Sequence, residues 1–232
     1  MKLYGLQKTT LLDFPGRVAC TVFLGGCNFR CPFCHNSALL TSESFPEEIS
    51  EESFFSFLKK RKGILDGVCI TGGEPLCSKD TEDFIRKIKN EGFAVKLDTN
   101  GSFPERLENI VKSGIVDYVA MDIKNSRRNY GKAVGLKDYD TSSVEKSVSF
   151  LLENSIPYEF RTTVVKGIHE NLDFCDIASW IQGAERYYLQ SFVESDGVLA
   201  KDKGLCAFSK NEMENFAEIV ARTVKTVGIR GV

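Results

Sequence analysis

Apolar and polar positions along the chain fall into a repeating rhythm. Short apolar or β-branched runs alternate with longer amphipathic stretches: RVACTVFL (17 to 24) with EESFFSFLKKR, GVCIT (67 to 71) with DTEDFIRKIKNEG, and AVKLDT (94 to 99) with PERLENIVKSG. The rhythm continues with VDYVAMDI (116 to 123) ahead of a loop and DTSSVEKSVSFLLEN, and with YEFRTTVV (158 to 165) ahead of NLDFCDIASWIQG. Last come RYYLQSFV (186 to 193), a loop and SKNEMENFAEIVARTVKTVG. The short runs suit buried strands and the longer ones suit helices with one apolar stripe, so the pattern predicts six βα units on a parallel sheet. Ser50, Asp80, Pro104, Asp140 and Ser209 stand where helices start, and Gly92, Gly114 and Gly183 where they stop. No fixed-period repeat, low-complexity tract or Pro/Gly/Ser linker marks a boundary, so a single domain over residues 1–232 is expected.

Six consecutive βα units allow an open doubly wound sheet or a curled partial barrel. In both, polar residues just after the strands make the active face. TGGEP, DTNG, DIKN, the Arg161 region and a cysteine loop all fall at or just beyond predicted strand ends, and they are expected to converge on one rim.

Charge narrows the partners. Thirty basic against thirty-two acidic residues give a formal net charge of -2 over 232 residues, without a long run of either sign. That balance argues against duplex nucleic acid or an anionic membrane as the main partner. The first residues, MKLYGLQKTTLLDFPG, hold no apolar stretch of signal-peptide length, and no later stretch approaches a membrane span, so a cytoplasmic location is expected.

The densest chemistry lies in CNFRCPFCHN, residues 27 to 36. Cys31-Pro-Phe-Cys34-His35 has the form of a c-type haem attachment, which a cytoplasmic chain would not normally acquire. Cys27, Cys31, Cys34 and His35 are four possible zinc ligands, although the adjacent Cys34 and His35 would seldom both reach one tetrahedral ion. Three cysteines at this spacing also suit a 4Fe-4S cluster with one iron left open to an outside ligand. Gly25 and Gly26 permit close backbone approach ahead of the first cysteine, and Phe33 offers an aromatic surface to a bound ring. Cys20, Cys69, Cys77, Cys175 and Cys206 are scattered and read as packing residues, except that Cys77 closely follows ITGGEP. In that motif Gly72 and Gly73 end a predicted strand, and Glu74 places a carboxylate where a cationic amine could be received.

CNFRCPFC followed by TGGEP resembles the radical S-adenosylmethionine superfamily, whose members carry a Cys-x3-Cys-x-aromatic-Cys loop and a Gly-Gly-Glu motif on a partial (β/α)6 TIM-like barrel. The longer stretch LLDFPGRVACTVFLGGCNFRCPFCHNSALL, with LDTNG and MDIK, is similar to the glycyl-radical-enzyme activases, within them most to the anaerobic ribonucleoside-triphosphate reductase activating type. The resemblance implies that Cys27, Cys31 and Cys34 bind one 4Fe-4S cluster whose open iron takes the amino and carboxylate groups of S-adenosylmethionine. It places Gly72, Gly73 and Glu74 at the methionyl amine, Asp98 near the cofactor, Asp122 and Lys124 at its ribose and carboxylate, Phe33 and His35 beside the adenine, and Arg161 as a further carboxylate contact. It implies reductive cleavage to a 5'-deoxyadenosyl radical, driven by a low-potential donor such as flavodoxin or ferredoxin. That radical would take a hydrogen from a glycine of a partner glycyl radical enzyme, with Asp13 to Gly16 lining the entrance for its peptide.

Two departures stand out. Some activases carry a cofactor-contacting histidine near the end of the sixth strand, where this chain has Gln190, Ser191 and Val193, and no auxiliary-cluster cysteine set is evident. Two other readings stay in view: a radical enzyme of the same superfamily acting on a small molecule or modified-nucleoside precursor, and a non-catalytic metal-binding or electron-transfer module.

Overall fold

Strands that are buried on both faces read as continuous apolar runs, and the stretches 19–24, 67–72, 94–99 and 118–122 are each buried at all but one position. In the computed structural model, which describes residues 1–153 and 156–232, all six predicted βα units form. In chain order the elements are β1 (Leu3–Thr10), β2 (Ala19–Leu24), α1 (Glu51–Lys60), β3 (Gly67–Gly72), α2 (Thr81–Asn90), β4 (Ala94–Thr99), α3 (Pro104–Lys112) and β5 (Tyr118–Asp122). They continue with α4 (Tyr130–Val134), α5 (Ser142–Leu152), β6 (Tyr158–Val164), α6 (Asn171–Trp180), β7 (Arg186–Ser191), α7 (Lys210–Val220) and β8 (Thr226–Arg230). The strands follow one another in chain order, β1 antiparallel to β2 and the others parallel wherever their register is defined. The fold is α/β, of the partial (β/α)6 barrel kind.

Backbone packing divides the chain into two compact units. The first comprises Met1–Asn28, Ala38–Thr99 and Glu105–Val119; the second comprises Phe29–Ser37, Asn100–Pro104 and Ala120–Val232. In the first, α2 packs on β4, and Phe54, Phe55 and Phe84 form an aromatic cluster. In the second, α6 and α7 pack together, with Phe174 stacked on Phe216 at 4.3 Å.

Local signals account for most boundaries. Ser50 caps α1 by accepting from Ser53 N, and Ser209 forms a reciprocal capping box with Glu212 at α7. Pro104 opens α3. Asp80 precedes α2 without a side-chain cap bond. Asp140 stands one residue ahead of the Thr141 cap and accepts from Ser142 N and Oγ. Gly92, Gly114 and Gly183 all take positive φ, as helix stops require. The predicted helix ending LLEN runs to Asn154, which lies outside the described residues.

Three expectations are corrected. The helical reading of SKNEMENFAEIVARTVKTVG runs too far: α7 ends at Val220, and the β-branched Thr226 and Val227 enter β8. The opening segment, read only for its lack of a signal peptide, forms β1; its exposed middle and two register shifts against β2 leave little alternation to read. Arg161 sits in the middle of β6 rather than at its end.

Candidate functional site

In the first unit the end of β3 is pressed onto the end of β2. Gly72 has φ +122°, and a Cβ there would land on the backbone of Leu24. A Cβ on Gly73 would land on the carbonyl oxygen of Gly26. Gly73 N donates to Leu24 O at 2.9 Å, Glu74 N to Gly26 O at 2.8 Å, and Gly26 N to Leu39 O at 2.8 Å. The two glycines therefore serve backbone-on-backbone packing, locking Gly-Gly-Glu to the residue that precedes Cys27.

Glu74 is 1% exposed. Its Oε1 accepts from Leu76 N at 3.0 Å and from the Thr99 hydroxyl at 2.8 Å, so a buried carboxylate is oriented by groups from two strand ends. Arg106 of α3 donates to the carbonyls of Leu76 and Ser78, clamping the turn that follows Glu74. Asp98, near the end of β4, pairs with the buried ammonium of Lys96. Strand register sets Thr21, Cys69 and Lys96 side by side, and the Thr21 hydroxyl donates to Asp13 at 2.6 Å. Cys77 donates its thiol to Asn28 Oδ1 at 3.8 Å. Burial, together with the charges of Glu74 and Cys27, pushes its pKa up to about 11.

Asp13 and Phe14 belong to the other end of these strands. Phe14 is buried with Ala19, Cys69, Ala94 and Tyr118, and three of those open β2, β4 and β5. The Asp13 to Gly16 segment thus sits at strand starts, away from the ends that carry Cys27 and Glu74.

The second unit holds the rest of the cysteine loop. Cys34 N donates to Cys31 O at 3.0 Å, closing a tight turn around Pro32 and Phe33. The loop is strapped from outside by Arg30 N to Val134 O at 2.8 Å, Ala200 N to Pro32 O at 2.9 Å and Leu199 N to Cys34 O at 3.0 Å. Phe33 is buried against the ring of His169, with centroids 6.1 Å apart. His35 is exposed, packs its ring on Phe192 and donates from Nε2 to Val193 O at 2.6 Å. It therefore ties the cysteine loop to the segment just after β7.

At the end of β5, Asp122 is held between two cations. Arg161 Nε donates to Asp122 Oδ1 and Lys124 Nζ to Asp122 Oδ2, each at 2.9 Å. Burial works against the Asp122 charge, yet Arg161 and Lys124 outweigh it and hold its pKa at about 2. Burial likewise opposes the Lys124 charge, and the Asp122 carboxylate keeps its pKa above the ordinary lysine value. Lys124 also acts on the two loop thiols of this unit, Cys31 and Cys34: burial raises the Cys34 pKa, while the N–H of Asn36 and the charges of Lys124 and Arg30 pull against that rise.

Sequence reasoning missed His169. It is 2% exposed; its Nδ1 accepts from Val165 N at 3.1 Å, so the proton resides on Nε2, which donates to Lys124 O at 2.9 Å. The only advance signal was that the chain has two histidines. Asn125, Ser126 and Asp173 form a buried node behind it: Ser126 Oγ and Asn129 Nδ2 donate to Asp173 Oδ1 at 2.5 and 2.7 Å. Gln190 lies near the end of β7.

All eight cysteines carry thiols rather than disulfides. Among the described residues, no three His, Cys, Asp or Glu side chains are gathered closely enough to hold a single ion. A cuboidal cluster makes a different demand, since each thiolate binds its own iron. The soft donor set, a rigid loop and a cation beside two of its thiols suit an anionic iron-sulfur group.

Residues 21–181 match the Radical SAM superfamily, and the chain belongs to it. Its cofactors are accordingly a 4Fe-4S cluster and S-adenosylmethionine. A Methanocaldococcus jannaschii protein provisionally named a glycyl-radical enzyme activating enzyme is 30% identical over 233 residues, spanning 97% of this chain and 94% of that protein. A GTP 3',8-cyclase of Helicobacter pylori is 24% identical over 212 residues, spanning 88% of this chain and 62% of the cyclase. A crystal structure of a domain of pyruvate-formate lyase-activating enzyme from Bacteroides vulgatus superposes with a TM-score of 0.56 at 16% identity, covering 71% of this chain and 99% of that one. Among the described residues no helix is long and apolar enough to cross a membrane.

Proposed function

We propose that this radical enzyme is an activase: it generates a glycyl radical on a partner enzyme, the anaerobic ribonucleoside-triphosphate reductase. One observation carries the reading. The alignment with the activating-enzyme relative runs nearly end to end in both proteins, whereas the chain spans 62% of the cyclase.

Cys27, Cys31 and Cys34 would hold the cluster, which together with S-adenosylmethionine would supply one-electron reductive carbon-sulfur cleavage and the hydrogen abstraction from the partner's glycine. The protein's own residues bind and orient. Glu74, fixed by Leu76 N–H and the Thr99 hydroxyl, offers a carboxylate to the methionyl ammonium. Asp122, Lys124 and Arg161 together carry one negative and two positive charges, suited to the carboxylate end of a zwitterion. Phe33 keeps the loop seated, and His35 ties it to the segment after β7.

The test is anaerobic reconstitution, reduction and addition of S-adenosylmethionine, with 5'-deoxyadenosine quantified and the partner reductase inspected by EPR. Deoxyadenosine together with a glycyl radical is expected. Deoxyadenosine without a radical on any tested partner would instead favour the second reading, a nucleotide or other small-molecule substrate, which the cyclase similarity supports.

A further inference from the structure

A cavity of about 480 Å³ opens on the second unit, and Pro32 lines it. Pro32 lies between Cys31 and Cys34, so the cavity reaches the backbone of the cysteine loop itself. Around it stand Arg127, Arg128, Lys132, Lys137 and Lys203, with Asp138 as the one acid in the lining. All five cations are exposed. Arg127 is engaged by Asp176 at 2.9 Å; the other four make no ion pair among the described residues. A chain whose net charge is -2 thus concentrates positive charge on the surface against its cysteine loop.

Neighbouring geometry makes this surface firm. Gly135, at φ +69° after α4, lies so close to the loop that a Cβ there would overlap Arg30 O. The Arg30–Val134, Pro32–Ala200 and Cys34–Leu199 backbone bonds hold the loop to the same segments that bear the cations. Electron transfer weakens steeply with distance, so a fixed and short path to the ligand loop is what a donor needs. No second close-set group of cysteines in the sequence offers a relay from elsewhere.

We propose that this cationic cavity is the docking surface for an acidic one-electron carrier protein, which reduces the cluster through the Cys31–Cys34 backbone. The inference rests on the radical-enzyme reading above and adds where the electron enters. Complementary charge would steer the encounter, and a small, polar contact suits a carrier that must leave after one electron.

The test uses the reconstituted holoenzyme and the triple variant Lys132→Glu, Lys137→Glu, Lys203→Glu, none of which belongs to the cofactor-binding set. Cluster content is checked by iron and absorbance. Cleavage of S-adenosylmethionine is driven either by saturating dithionite or by limiting reduced acidic flavodoxin, at salt from about 0.05 to about 0.3 M. The dithionite rate should stay within about twofold, while the carrier-driven rate of the variant falls at least about tenfold and loses its salt dependence. An unchanged carrier-driven rate and salt dependence would overturn the proposal. So would loss of glycyl radical on the partner under dithionite, which would assign the surface to the other protein. Absence of cleavage in the wild type with dithionite would instead sink the radical-enzyme reading itself.

Discussion

The ring of His169 donates from Nε2 to the backbone carbonyl of Lys124 at 2.9 Å while its Nδ1 accepts from Val165 N at 3.1 Å. One buried side chain thereby fixes the backbone of Lys124, two residues past β5, whose ammonium grips Asp122. His169→Phe should leave the Lys124 carbonyl and Val165 N–H buried without that partner, at about 1–3 kcal/mol for each unsatisfied group. Urea unfolding measures the loss. Affinity for S-adenosylmethionine should weaken beyond what the stability change alone predicts, as equilibrium dialysis would reveal.

The same histidine makes stability depend on pH. Burial lowers its pKa from the ordinary value, so the unfolded chain takes up a proton at a pH where the folded ring does not. The contribution is full above about pH 6.5 and is lost as pH falls toward the depressed folded value. Wild-type unfolding midpoints should therefore drop between about pH 7.5 and about pH 5.5, and His169→Gln should show a shallower drop. Equal slopes for the two proteins would refute the assignment.

Asp122→Asn removes the anion between Lys124 and Arg161 and leaves two cations facing each other. Affinity for S-adenosylmethionine should fall on the order of tenfold or more, because the cations lose the group that orients them. Binding of labelled cofactor to the reconstituted protein reads this directly.

Gly73→Ala sets a methyl group against Gly26 O, beside Cys27. Iron bound after reconstitution should drop sharply. Gly92→Ala supplies the control: its φ is +92° with open space around it, so stability should decrease by about 1 kcal/mol with iron content unchanged.

Cys77→Ser tests whether the fourth nearby thiol takes part. It is bonded to Asn28 and its pKa is raised to about 11, so the variant should keep its full iron content. Alanine at Cys27, Cys31 or Cys34 should lose most of it.

Much of this was legible in the sequence where one residue type has one physical use. Six apolar runs could hardly be anything but buried strands, and Ser50, Ser209 and Gly92 each did the local task that their chemistry favours. The cysteine spacing and Gly-Gly-Glu carried the family. What escaped depended on partners far along the chain. His169 reads as an ordinary loop histidine until Lys124 O and Val165 N are beside it. Lys96 looks like a surface lysine inside an apolar run, and only strand register with Cys69, together with its pairing to Asp98, explains its burial. β1 and β8 lacked a clean apolar face, so pairing rather than pattern decided them.

The absent side chain at Gly73 has a consequence for engineering. Cys27 and Glu74 are distant in sequence but share one rigid joint of three backbone hydrogen bonds and a glycine too crowded to replace. A chimera that imports the cysteine loop into another barrel should therefore fail unless the recipient's third strand ends in the same two glycines. The transplantable unit is the pair of strand ends, and the loop alone is an incomplete graft.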